Sequence, residues 1–159
     1  MFKVYVNNEQ KEVPIDESEL EMTVIDIFKA GELEKVGELC ISFLDDEEMA
    51  RLNKEYRGKD GPTDVLAFSQ DEGMEVPRPD DPNFVPLIGD IMISAPAAVR
   101  QAEAAGHSLD REIKILLIHG ILHLYGYDHN NMYQQVFMRD EEKAILTALE
   151  KMEKALERS

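Results

Sequence analysis

Apolar and polar positions change period several times along the chain, and each change marks an element. Residues 2–6 alternate and predict a short strand. Asp16 with Glu19 three residues on has the spacing of a helix cap, so a helix is predicted from there to about Ala30, with Gly31 at its C-terminal side. Residues 36–44 set apolar positions against small or polar ones and predict a second strand. Asp45 and Glu48 repeat the capping pattern, and Met49, Leu52 and Tyr56 fall at helical spacing as the inner face of the helix that follows. The stretch 58–62 is a turn-rich break, and 63–68 and 89–93 predict two further strands. Between those strands, 71–86 holds Gly73, Pro77, Pro79, Pro82 and Pro86 and predicts a long surface loop. Loops of that length inside compact domains are uncommon and often functional. Ser94 caps a predicted helix over 95–105 that Gly106 ends.

The back half is helical. Ser108 or Asp110 starts a helix whose stretch 113–124 is apolar nearly all round, the pattern of a buried central helix, and Gly126 closes it. From about Asn131 a long helix is predicted, with Ile145, Leu149, Met152 and Leu156 on one buried stripe. Strand, helix, strand, helix, strand, strand and three helices predict an α+β fold. Its expected form is a small mixed sheet of about four strands packed with about five helices. With no repeat and no Gly/Ser linker, residues 1–159 are expected to form one domain.

Composition narrows the functional classes. The chain is 43% hydrophobic and 31% charged, which excludes a disordered polymer. Seventeen basic against 33 acidic residues leave a formal net charge of −16, which argues against binding nucleic acid through a broad basic surface. Most of the excess acid lies in residues 1–50, read as a solvated face. A local exception is Arg51, Lys54, Arg57 and Lys59, opposed within 51–59 only by Glu55. One cysteine, Cys40, cannot form an internal disulfide and fits a reducing compartment. No apolar run is long enough to span a bilayer, and the N-terminus lacks the pattern of a signal peptide, so a cytoplasmic protein without membrane contact is expected.

Three of the four histidines fall between 119 and 129. His119 and His123 are four residues apart on the predicted central helix, a spacing that puts two imidazoles on one face, one turn apart. His129 follows just beyond Gly126, where a sharp turn can bring a third ring back. Three nitrogens around one ion leave a fourth position open, the arrangement of a catalytic zinc. Buried imidazoles satisfied by hydrogen bonds are the bland alternative for such a pair. Water bound to such an ion is acidified and becomes a nucleophile. In the helical metalloprotease motif a Glu base follows the first His, and here that position is Gly120. Asp128 is the nearest carboxylate, suited to orienting a histidine, to proton transfer or simply to capping the turn. His107, at a helix start, reads as a surface or capping residue.

The segment His119-Gly-x-Leu-His-Leu-x-Gly-Tyr-Asp-His129 resembles the signature of the YbeY family, bacterial rRNA maturation factors and single-strand-specific endoribonucleases. Residues 53–66 and Gly89-Asp90-Ile91-Met92-Ile93-Ser94 resemble two further blocks of that family, in the same order. The resemblance implies an α+β domain in which His119, His123 and His129 bind one divalent ion, usually zinc. It implies that Arg57 is a functional basic residue in the cleft facing the metal. It also implies a role in 16S rRNA 3′-end maturation and ribosome quality control, with single-stranded or ribosomal RNA rather than DNA as substrate and the small ribosomal subunit or its proteins as partner. Ala67 and Ser69 stand where family members often carry Ser and Pro.

Three readings follow. The first is a metal-dependent endoribonuclease in which Arg57 stabilises the phosphate and Asp128 assists. The second is a metal-dependent hydrolase of another substrate class, which Gly120 disfavours for peptides. The third is a non-catalytic ribosome-assembly factor with a structural metal. An acidic body fits the first only if positive charge is concentrated at the scissile phosphate, with Arg51, Lys54 and Lys59 extending the track and a partner supplying further affinity.

Overall fold

A computed structural model describes residues 2–33, 37–69, 87–125 and 132–157. The 71–86 loop, Gly126, Asp128 and His129 lie outside the described residues. The elements follow the predicted order: β1 (Phe2–Asn8), α1 (Glu17–Ala30), β2 (Gly37–Leu44), α2 (Asp46–Arg57), β3 (Val65–Ser69), β4 (Leu87–Ser94), α3 (Ala95–Ala105), α4 (Leu109–Leu124) and α5 (Met132–Glu157). This is an α+β fold.

Three caps are those the sequence predicts, and at the fourth helix Ser108 rather than Asp110 is the cap. Asp16, Asp45, Ser94 and Ser108 each accept a backbone N–H three residues on, from Glu19, Glu48, Ala97 and Arg111. Each satisfies a donor that the first helical turn would otherwise leave unpaired. β3 starts at Val65 rather than at 63, and the Asp64 carboxylate accepts the Val65 N–H at 2.8 Å.

The sheet order is β1-β2-β4-β3. β1, β2 and β4 run parallel, and β3 pairs antiparallel with β4. Alternation on the strands sorts the two faces. Leu39, Ile41, Phe43, Ile91 and Ile93 are wholly buried and join residues of α1, α4 and α5 in the main core. Leu44 and Leu66 point to the opposite side, where Met49 and Leu52 of α2 cover them. α4 thus lies on one face of the sheet and α2 on the other, with β3 as the edge strand between them. Among the described residues no helix is long and apolar enough to cross a membrane.

Two expectations about helix faces are corrected. Tyr56 is 61% exposed and Leu156 is 68% exposed. Helical spacing places both on their stripes, but the last turn of α2 and the last turn of α5 extend past the apolar layers that their earlier turns cover. Ile145 and Leu149 of the predicted α5 stripe are buried, and Met138 joins them.

Candidate active site

The end of α2 carries Arg57 and the C-terminal half of α4 carries His119 and His123, and the edge strand β3 lies between them. A cleft of about 290 Å³ results, lined by Tyr56 and Arg57, by Val65, Leu66, Ala67 and Phe68, and by His119, Gly120 and His123. The fold therefore brings three of the five predicted site residues into one concavity. Asp128 and His129 fall outside the described residues.

α4 sits close enough to the sheet to place its histidines here because position 120 has no side chain. A Cβ on Gly120 would lie 3.1 Å from two carbons of Ile91. Any side chain at this position would press on Ile91, which would have to give by a few tenths of an ångström. Gly89 serves the same approach from β4: a Cβ there would meet the Phe68 carbonyl oxygen at 2.5 Å and Leu124 at 2.7 Å.

His119 and His123 are both half-buried, one turn apart on α4. His119 Nδ1 lies 2.6 Å from Glu142 Oε1 on α5. A ring held by a carboxylate at Nδ1 keeps its proton there and directs its lone pair through Nε2. Imidazoles oriented in this way are common metal ligands, and the donor chemistry of this pair fits a divalent transition ion such as zinc. Among the described residues no three metal-binding side chains converge.

Sequence reasoning missed Glu142. The signal was present one turn before the stripe: Met138, Glu142, Ile145 and Leu149 follow helical spacing, and a carboxylate on a buried stripe needs a partner. His107 is a correction of a different kind. Its ring is held by Glu112 at 2.7 Å and approached by Arg111 at 3.3 Å, and Ser108 performs the capping.

The basic cluster also separates. Arg51 is bound by Glu48 and Glu55, and Lys54 by Asp60. Arg51 moreover borders a different depression, beside Glu9 and Asp45. Among the described residues Arg57 forms no ion pair and lies in the cleft. Of the basic track expected from the sequence, only Arg57 lines the cleft among the described residues. Asn53 braces the chain that follows: its amide donates to the Gly61 carbonyl at 2.9 Å. Gly58, in the left-handed conformation, turns the chain immediately after Arg57.

The profile of the family described as Endoribonuclease YbeY matches residues 5–150. The chain belongs to the YbeY family. An endoribonuclease YbeY of Halalkalibacterium halodurans is 46% identical over 130 residues, covering 77% of this chain and 80% of that protein. The Desulforamulus reducens YbeY is 43% identical over 151 residues, 92% of this chain and 96% of its own. In three dimensions the chain is similar to TM1509 of Thermotoga maritima, whose solution structure superposes with a TM-score of 0.62. That match has 22% identity over 96% of this chain and 92% of the other, a likeness of fold. Arg57, His119 and His123, three residues of the segments that resemble that family, line the cleft.

Proposed function

We propose that this YbeY-family protein is a metal-dependent endoribonuclease that cuts single-stranded RNA in the cleft between α2 and α4. One observation supports the reading above the rest: a guanidinium without an ion pair among the described residues, and two histidines at metal-ligand spacing, line the same concavity from opposite faces of the sheet edge. Arg57 offers a planar fork of donors that suits two phosphate oxygens and stabilises the charge that builds on phosphorus during attack. His119 and His123, with His129 as the third ring, would hold one divalent ion, with zinc the expected one. When bound, such an ion supplies positive charge and lowers the pKa of water. Glu142 holds the His119 ring in place. Asp128 is proposed to assist proton transfer.

The natural substrate in this reading is the 3′ end of 16S rRNA, presented by the small ribosomal subunit. A net charge of −16 weakens general affinity for RNA, so selection of one bond is assigned to the cleft and to the presenting partner. The test is cleavage of a single-stranded RNA oligonucleotide by purified protein, with zinc removed by chelation and then restored. Cleavage that is lost, recovered and absent from His119→Ala supports the reading. Cleavage that persists in that variant, or none in the zinc-restored wild type, overturns it.

A further inference from the structure

We propose that Tyr56 and Phe68 form a base-stacking subsite, which holds a nucleobase of single-stranded RNA beside the phosphate gripped by Arg57. The proposal rests on the RNA-cleaving reading of the same cleft and adds how the strand is held.

Tyr56 continues the apolar stripe of Met49 and Leu52, yet it is 61% exposed. The ring is nevertheless positioned. It packs on Phe68, with centroids 5.3 Å apart and planes inclined by 57°. Phe68 is half-buried and packs against the small core beneath α2, so the platform has a fixed base. Single exposed aromatic residues are ordinary on protein surfaces and carry no message by themselves. This pair differs in its location: both rings line the cleft that contains Arg57, His119 and His123.

The chemistry of the neighbours selects the occupant. Tyr56 and Arg57 are consecutive residues in the last turn of α2 and both face the cleft. A nucleotide likewise presents a flat apolar face and an anion on one short unit. Proteins hold unpaired bases by stacking them on Tyr and Phe, and every base has such a face, so the grip tolerates sequence. A base inside a duplex already has both faces covered by its neighbours and cannot use the ring. Preference for single strands then follows from the platform without any base-specific hydrogen bond.

The experiment measures binding and cleavage side by side. Binding uses anisotropy of a labelled, non-cleavable 2′-O-methyl oligonucleotide. Cleavage uses the matching RNA, intact or with one abasic nucleotide on either side of the cut bond. Tyr56→Ala is expected to raise Kd and KM about 5- to 100-fold, with kcat changing much less. Tyr56→Phe retains the ring and is expected to match the wild type within about twofold, the rescue that stacking requires. An abasic site at one flanking position should weaken the wild type by a similar factor and Tyr56→Ala no further. Equal Kd for wild type and Tyr56→Ala, or the same abasic penalty in both, overturns the subsite while leaving RNA cleavage standing. Binding that depends on Tyr56 without any cleavage keeps the subsite and removes the enzymatic reading. A wild type that neither binds nor cuts overturns both.

Discussion

The Nδ1 atom of His119 and the Oε1 atom of Glu142 lie 2.6 Å apart, across the packing of α5 on α4. Glu142 is thus the orienting partner of the first histidine of the motif, 23 residues away in sequence. Loss of an orienting carboxylate typically weakens a metal site by about 10- to 100-fold. Glu142→Ala should show that loss in zinc affinity, read by competition with a chromophoric chelator, while its far-UV dichroism stays that of the wild type. Glu142→Gln keeps an acceptor in place and should lose less. Equal zinc affinity for Glu142→Ala and wild type would show that the contact does not serve the metal.

Arg57 and Arg51 lie six residues apart and should behave differently. Arg57→Ala is expected to lower kcat/KM for RNA about 100- to 1000-fold, and Arg57→Lys to recover only part, because a lysine lacks the planar fork. Arg51→Ala removes a cation already bound by Glu48 and Glu55 outside the cleft, so its kcat/KM should stay within about threefold of wild type. Comparable losses at both positions would mean that general charge, and not a placed guanidinium, holds the phosphate.

At Gly120 two effects of opposite sign compete. Alanine favours a helix over glycine by about 1 kcal/mol. Overpacking against Ile91, where the new carbon would sit at 3.1 Å, costs about 1–3 kcal/mol. Gly120→Ala should therefore lower the stability measured by urea unfolding. Adding Ile91→Val, which removes one of the crowded carbons, should restore or reverse the effect. A single variant more stable than the wild type would show that α4 has slack over the sheet.

Arg100 holds the Asp46 carboxyl below the usual carboxylate range: its hydrogen bond outweighs the opposing effect of burial, and Ser94 adds a second hydrogen bond. A depressed carboxyl stabilises the fold above the unfolded value of about 3.9, and that contribution fades as pH falls through the native value. The pair is largely exposed, so solvent screens it and the effect on stability is small. The stability difference between wild type and Arg100→Gln should be constant from about pH 5 to 7 and shrink below about pH 4. A difference that grows on acidification would contradict this assignment.

Lys114 is buried in the contact of α4 with α5 and binds Asp110 and Glu153, each at 2.6 Å. Burial favours the neutral amine, but the two carboxylates outweigh it and the ammonium is shifted upward. Lys114→Ala should cost about 1–3 kcal/mol in thermal or urea unfolding, whereas Lys114→Met fills the same space and should recover most of it. An alanine variant as stable as the wild type would show that the tie contributes nothing net.

Much of this protein is local in origin and was legible in the chain itself. Asp16, Asp45, Ser94 and Ser108 cap the helices that their own next three residues begin, and the strands alternate as their burial requires. The four-residue spacing of His119 and His123 needs only helical geometry to put both rings on one face. Distant segments had to meet before the rest existed. The order β1-β2-β4-β3 depends on which strands pair after long connections close. Glu142 reaches His119 only because α5 packs on α4, and Tyr56 meets Phe68 only because the end of α2 overhangs the sheet edge. Periodicity states which side of an element is apolar, whereas docking decides how far the neighbouring layer extends to cover it. At Tyr56 and Leu156 that layer stops short, and at Glu142 it brings a histidine.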